Sequence, residues 1–313
     1  MGEKRAFMPY SWYNKVYNNF FLRGASMSFV VFTDGSANLP GKMSEGITIL
    51  PCSYMLNGTE VVYEGDVEEF DAHSFYEGLK NGDKVKTSLL NTHLFLEHFR
   101  PVLENGQDIV YIAMAAGISG TYNAAINAAD ELMEEFPDRF IHIVDSKGCG
   151  FGSGILAIKA AKLSKEGKSC KEAAQILDDA VPHACQYFTV DDLNFLKNTG
   201  RVSGVTASIG TILNIKPILF GDSTGHIISC SKVRGRKNAI SAIAAKYSEK
   251  RMETEDNIVC ISHGDCYDDA VKLSEMVKEI NPKAEITICQ HEPFSGAHVG
   301  PGMLGLFFWG KER

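Results

Sequence analysis

Residues 109–121 read IVYIAMAAGISGT, a stretch that joins an apolar run to a loop of small and hydroxylated residues. Ile109 to Ala113 are continuously apolar, which is typical of a strand covered on both faces. Gly117 to Thr121 form the loop, and an alanine-rich helix is predicted to begin near Tyr122. Strand, loop and helix in this order indicate a parallel sheet whose strand-end loops meet at one edge.

The same order recurs on both sides of this stretch. The apolar run Phe29 to Phe32 precedes the polar loop 33–40, and the run Phe140 to Val144 precedes a predicted helix from about Gly152 to Leu163. Ile47 to Leu50 add a further strand. These units predict a three-layer α/β/α domain built on a parallel sheet.

Short turn and cap motifs predict how these units are connected. Asn57-Gly58 is a hairpin signal, and Asp71 and Asn91 are expected to cap two helices. Pro101 is expected to kink or break the second of them.

The second half of the chain predicts a mixed α/β domain. Ser164 to Ser169 read as a linker, and Gly221 to Gly225 as a hairpin. A helix is predicted from Lys171 to about Val181, and the chain ends in a glycine-rich tail, Gly296 to Gly305. Strands are expected near Phe188, Ile218, Ile227, Val259 and Ile286. We therefore divide the chain into an N-terminal extension (1–26), an N-terminal α/β domain (27–165) and a C-terminal α/β domain (166–313).

Composition excludes several classes of protein. The chain is 44% hydrophobic and 22% charged, as folded proteins are, and its net charge of −8 disfavours nucleic acid as a partner. No apolar run reaches the 18 or more residues of a membrane span. The eight cysteines contain no C-x-x-C pair, so we expect neither a metal site nor disulfides, and a cytoplasmic location.

Residues 1–26 differ from the rest in being aromatic and basic. Trp12, Val16 and Phe20 are among the apolar residues that recur on one face of a predicted short helix. We expect this face to pack on the protein itself or on a second copy. Transient contact with a membrane surface is the alternative.

The loops after the strands carry the candidate chemistry. Ser119 stands at the beginning of a predicted helix, where unpaired backbone N–H groups and a hydroxyl favour a carboxylate or phosphate. Thr87 and Ser88 follow a neighbouring strand and are placed to close on the same anion. Each hydroxyl also has a simpler explanation as a helix cap or turn residue. Another alternative is a serine hydrolase, with Ser119 as nucleophile and His298 or His263 as base.

Nucleotide and cofactor binding are not expected. The sequence has no Walker A motif. Gly300-x-Gly302-x-x-Gly305 matches a dinucleotide fingerprint, but only eight residues follow it, which is too few for the helix and strand that such a site requires.

From Met27 to the C-terminus, the chain resembles the DegV family in a series of motifs that occur in the family's order. A single motif is weak evidence for the family, but the whole series in this order is specific to it. The motifs are Thr33-Asp34-Gly35-Ser36-Ala37-Asn38-Leu39-Pro40, Thr87-Ser88, Gly117-Ile118-Ser119-Gly120-Thr121, Val144-Asp145-Ser146, Phe188-Thr189-Val190-Asp191-Asp192-Leu193 with Gly200-Arg201-Val202, Leu213-Asn214-Ile215-Lys216-Pro217, Lys232-Val233-Arg234-Gly235, and Gly296-Ala297-His298-Val299-Gly300-Pro301-Gly302.

The resemblance implies a two-domain α/β protein that holds one long-chain fatty acid between its domains. In bacterial members it implies the fatty-acid-binding subunit of a fatty acid kinase, whose separate subunit brings ATP and phosphorylates the carboxylate. Such a subunit has no catalytic residues, metal or cofactor of its own.

The resemblance also assigns roles to residues of this chain. It places the carboxylate at Thr87 and Ser119, with Ser88 and Gly120 beside them. Arg201 and His298 match the family positions near the head group.

Two positions depart from the family pattern. Gly35 stands where the opening motif usually has serine, and Leu89-Leu90-Asn91 stand where Gln-Pro-Ser usually follows the T-S motif. Both departures bear on the geometry of the head-group site and on chain preference.

Overall fold

The computed structural model describes residues 27–202 and 214–313. The helix predicted within residues 1–26, and Leu213 of the quoted motif, lie outside these ranges. The strands are β1 (Val30–Asp34), β2 (Ile47–Leu50), β3 (Cys52–Leu56), β4 (Thr59–Tyr63), β5 (Val85–Thr87), β6 (Ile109–Ala113), β7 (Ile141–Asp145), β8 (Ala184–Thr189), β9 (Ile215–Gly221), β10 (Ile227–Arg234), β11 (Ile258–His263), β12 (Glu285–Gln290) and β13 (Leu304–Trp309). The α-helices are α1 (Ala72–Lys80), α2 (Thr92–Glu104), α3 (Thr121–Glu135), α4 (Phe151–Lys165), α5 (Cys170–Ala180), α6 (Asn194–Asn198), α7 (Arg236–Lys250), α8 (Tyr267–Ile280) and α9 (Pro293–Val299).

Strands β2, β1, β6 and β7 lie side by side in that order and pair in parallel. Val31 and Val110 pack with α4 and α5 on one face, whereas Phe32 and Tyr111 pack with α2 and α3 on the other. Because helices cover both faces, these strands are almost continuously apolar. The predicted parallel-sheet α/β/α unit is confirmed.

The second sheet is mixed and has the order β10-β9-β8-β13-β11-β12. Among the described strands of this sheet, only β11 and β12 pair in parallel. Helices α7 and α8 cover one face, where Ile240 and Leu273 belong to the same core as Phe308. The predicted mixed α/β second half is confirmed.

Helix α4 lies between the two sheets. It contacts β1 and β6 of the parallel sheet and β8 and β13 of the mixed sheet. Its buried residues are therefore spread around the whole helix instead of along one stripe.

A third, antiparallel sheet has the order β4-β3-β5 and brings Thr87 toward α9. Asn57 and Gly58 both have positive φ, at 51° and 88°, as a two-residue hairpin turn requires. This hairpin and the caps at Asp71 and Asn91 are confirmed.

Two features of the chain path differ from the predictions: Pro101 does not break its helix, and the C-terminal tail is not irregular. Helix α2 continues through Pro101 to Glu104, because the proline lies in the last turn, where it removes a single N–H bond, and Phe95 and Phe99 anchor the preceding turns in the core. The glycine-rich tail includes the last part of α9 and the start of β13, which pairs with β8 and β11 inside the mixed sheet.

The predicted linker is short in the structure. Ser164 still belongs to α4, and Ser169 forms a capping box with Glu172 at the beginning of α5. Helix α5 packs against β6 and β7. The division of the chain at residues 165/166 stays a prediction.

Within residues 27–202 and 214–313, no helix is long and apolar enough to cross a membrane.

Candidate functional site

A cavity of about 290 Å³ lies between the carboxyl edge of the parallel sheet, the start of β10 and helix α9. It reaches the surface beside Leu89 and Gly120, which are both exposed. Its polar lining consists of Thr87, Ser119, Arg201, Ser295 and His298. The remaining lining residues are Leu89, Met114, Ile118, Gly120, Cys149, Leu196, Ile227, Phe294 and Val299. An apolar cavity with a few convergent polar groups is typical of a small-molecule site.

Close packing of two loops holds one wall of the cavity. A Cβ atom on Gly117 would lie 2.9 Å from the carbonyl oxygen of Thr224, in the turn of the β9–β10 hairpin. Glycine at 117 therefore allows the loop that carries Ser119 to pack against the hairpin that carries Ile227. The two sheets meet at the cavity through this contact.

Ser119 lies at the beginning of α3. Its hydroxyl donates to Thr121 Oγ1 at 3.0 Å and accepts from the Thr121 N–H at 3.2 Å. Ser119 thus satisfies the first N–H group of α3, while Gly120 at the N-cap has no side chain that could cover the positive end of the helix. A carboxylate would accept the hydrogen bond of the Ser119 hydroxyl in place of Thr121.

Thr87, at the end of β5, and His298, on helix α9, meet in the cavity wall. Thr87 Oγ1 lies 2.9 Å from His298 Nε2. Burial, aided by the nearby positive charge of Arg201, lowers the pKa of His298 to about 4, so the ring is uncharged at neutral pH. His298 Nδ1 is buried and has no hydrogen-bond partner in the described part of the chain.

The unpartnered nitrogen identifies the tautomer. A buried N–H group without an acceptor costs more than a buried lone pair without a donor. We therefore place the ring proton on Nε2, where it is donated to Thr87 Oγ1. The hydroxyl proton of Thr87 is then free to be donated into the cavity.

Arg201 supplies a positive charge at the same wall. One guanidinium nitrogen donates to the carbonyl of Thr199, and Arg201 forms no ion pair with any carboxylate of residues 27–202 or 214–313. The planar guanidinium carries further N–H donors, which suit a carboxylate or a phosphate.

Behind the cavity wall lies a buried polar network that fixes α9. Ser295 Oγ contacts Glu292 Oε1 and lies 2.9 Å from His291 Nε2. Glu292 also accepts from the N–H groups of Phe294 and Ser295, and its own N–H donates to Asn38 Oδ1 at 2.6 Å. The loop after β1 thereby holds the helix that carries His298.

The structure brings five of the six predicted site residues to one cavity: Thr87, Ser119, Gly120, Arg201 and His298. Ser88 is exposed and does not line it, and its N–H donates to the carbonyl of Ser53. Side chains alternate along an extended chain, so Thr87 and Leu89 share a side and Ser88 lies on the other. The functional roles of all six residues stay predictions.

Sequence reasoning missed the contribution of α9 other than His298. Phe294, Ser295 and Val299 all line the cavity. A signal was present, because Pro293 is a favourable first helical residue and Glu292 caps it from the preceding position.

The geometry gives Ser119 no general base. Among the described residues, its hydroxyl group bonds only to Thr121, while His298 contacts Thr87 and His263 Nδ1 accepts from the Cys266 N–H. Across those same residues, no group of three or more His, Cys, Asp or Glu side chains is arranged to hold a metal ion.

Comparison with known proteins identifies the class to which this fold and cavity belong. The family model described as "Uncharacterised protein, DegV family" matches residues 28–311. The chain belongs to the DegV family.

Individual relatives agree over nearly the whole chain. A DegV domain-containing protein of Clostridium perfringens is 35% identical, over 91% of this chain and 98% of its own length. The crystal structure of DegV from Bacillus subtilis, described as a fatty acid binding protein, superposes with a TM-score of 0.77 at 29% identity, over 91% of this chain and 100% of that one. A stearic acid-binding protein of Eubacterium ventriosum superposes with a TM-score of 0.77 at 25% identity, over 90% and 98%.

Proposed function

We propose that this protein binds one long-chain fatty acid in the cavity and presents its carboxylate to a separate, ATP-dependent fatty acid kinase. The observation that carries the proposal is the convergence of Thr87, Ser119, Arg201 and His298 on one cavity whose lining is mostly apolar. The fatty acids named for the related structures support the same ligand class.

In the proposed complex, the carboxylate lies between the two strand-end loops. It accepts hydrogen bonds from the hydroxyl groups of Thr87 and Ser119 and is attracted by the positive charge of Arg201. His298 is a positioning residue that orients the hydroxyl of Thr87. The acyl chain extends along Met114, Ile118 and Phe294.

The acyl chain supplies most of the affinity. Each buried CH₂ group contributes roughly 0.8 kcal/mol, so a chain of about 16 carbons gains on the order of 10 kcal/mol before ordering costs. The hydroxyl groups add less binding energy and mainly fix the position of the head group.

The phosphoryl transfer belongs to the partner in this proposal. The chain contains no Walker A motif, and the kinase subunit brings ATP. The protein then carries the acyl phosphate product, needs no cofactor of its own and works in the cytoplasm. The lipid lies between the two domains that we propose for residues 27–165 and 166–313.

A co-purifying ligand tests the proposal directly. We expect organic extraction of the denatured, purified protein to release close to one equivalent of a long-chain fatty acid, detected by mass spectrometry. A protein that carries no fatty acid and takes up none from palmitate or oleate would refute the function.

Replacing Ser119 should affect presentation more than uptake. In Ser119→Ala, we expect the affinity for palmitate to fall by about threefold or less, because the buried chain dominates binding. Formation of acyl phosphate with the partner kinase and ATP should fall by about tenfold or more, because misplaced reacting groups slow the transfer.

The control for this variant is Ser274→Ala on α8, whose hydroxyl donates only to the carbonyl of Val271 in its own helix. It should leave both quantities unchanged. Equal losses of lipid affinity and acyl phosphate formation in Ser119→Ala would contradict this division of roles.

A further inference from the structure

Leu89 is an exposed apolar side chain at the mouth of the cavity. It is 51% exposed, and of the residues that the structure describes, only Val62 and Tyr267 are also large, hydrophobic and exposed. Unlike these two, Leu89 lines the cavity.

The backbone around Leu89 is held on both sides. The Ser88 N–H donates to the carbonyl of Ser53 at 3.4 Å, and the Leu90 N–H donates to Thr121 Oγ1 at 3.3 Å. Leu90 itself is buried in the core, and Asn91 caps α2. The backbone at Leu89 is therefore held in place, and its side chain is exposed because of where it points.

The side chain of Leu89 crosses from one head-group loop to the other. A Cβ atom on Gly120 would lie 3.1 Å from Leu89 Cδ2, which places the leucine directly over Gly120. Thr87 lies two residues before Leu89, and Ser119 lies one residue before Gly120. The leucine thus lies at the cavity mouth between the loops that carry Thr87 and Ser119.

Hydrogen bonds also link the backbone next to Leu89 to the candidate anion site. Thr121 Oγ1 accepts both the Leu90 N–H and the Ser119 hydroxyl. The position of Leu89 is therefore tied to the residue that we expect to hold the carboxylate.

We propose that the side chain of Leu89 is the gate of the head-group site. This inference rests on the proposed function. In the closed position it shields the carboxylate from water, which strengthens the hydrogen bonds that hold it. Rotation about the side-chain bonds of Leu89 opens the mouth without movement of the anchored backbone, and such rotations of exposed side chains are fast.

Dissociation of palmitate from preloaded protein tests the gate. In Leu89→Ala, we expect the dissociation rate constant to rise by about threefold to tenfold, since less apolar surface covers the head group. The matched control is Val62→Ala, which truncates a side chain of similar exposure (47%) on β4, away from the cavity. It should leave the rate unchanged.

The variant Gly120→Ala tests the same contact by changing Gly120 instead of Leu89. The added methyl group meets Leu89 Cδ2 and should hold the leucine away from the mouth, which raises the dissociation rate in the same direction. In the double variant Leu89→Ala/Gly120→Ala the contact no longer exists, so the two effects should be clearly less than additive.

The outcomes separate the gate from the proposed function. If the wild type binds palmitate and Leu89→Ala releases it at the rate of Val62→Ala, the gate is refuted and the binding function stands. Additive effects in the double variant would also refute it. If the wild type binds no palmitate, both proposals fall.

Discussion

Ile118→Trp is expected to weaken fatty acid binding severely. Ile118 lines the cavity and lies directly before Ser119, between the two cores that flank the parallel sheet. The indole ring would occupy space that the acyl chain needs within about 290 Å³. If it displaces about four methylene groups, at roughly 0.8 kcal/mol each, the Kd for palmitate rises by more than about 100-fold.

The measurement is a titration with palmitate, together with thermal unfolding to verify the fold. Ile118→Leu is the matched control, because it nearly preserves volume and should retain binding. A folded Ile118→Trp protein that binds palmitate like the wild type would place the acyl chain elsewhere.

Glu292 is expected to make the protein less stable as the pH rises. Its carboxyl group is fully buried, and burial, aided by the negative charge of Asp34, outweighs three hydrogen bonds and raises its pKa to about 7 from an ordinary value of 4.5. The folded state therefore retains a proton that the unfolded state releases. The resulting stability is present below about pH 4.5 and is lost as the pH rises through about 7, by an amount on the order of 3 kcal/mol.

Comparison with Glu292→Gln isolates this effect. We expect the free energy of unfolding of the wild type, minus that of the variant, to fall by about 2 to 3 kcal/mol between pH 5 and pH 8 in urea titrations. His291 and His298 have lowered pKa values, about 3 and about 4, so they lower stability as the pH falls below about 6.5. That contribution is common to both proteins and cancels. A pH-independent difference would show that Glu292 does not titrate in this range.

The regular elements of the first half were predictable because their signals are local. The apolar runs of β1 and β6 each end at a polar or glycine-containing turn, and the turn signal Asn57-Gly58 and the cap Asp71 depend on their immediate neighbours. The error at Pro101 has the opposite cause. Core packing of α2 outweighs a local preference to end the helix.

Part of the polar lining of the candidate site could be predicted from the sequence for the same reason. Ser119 and Thr87 follow strands, and parallel topology brings such loops to a common edge. His298 and Arg201 were identified through the family resemblance, because nothing near them in the sequence indicates that they face the same cavity.

The amino-acid order was sufficient for the alternation of strands and helices, the caps and the hydroxyl groups, since each depends on residues a few positions apart. It was not sufficient for the sandwiching of α4 between two sheets, the insertion of β13 between β8 and β11, or the contact between Thr87 and His298, which are 211 residues apart. Those features arise only when distant surfaces pack together, because their energy comes from burial and from hydrogen bonds between segments that share no local pattern.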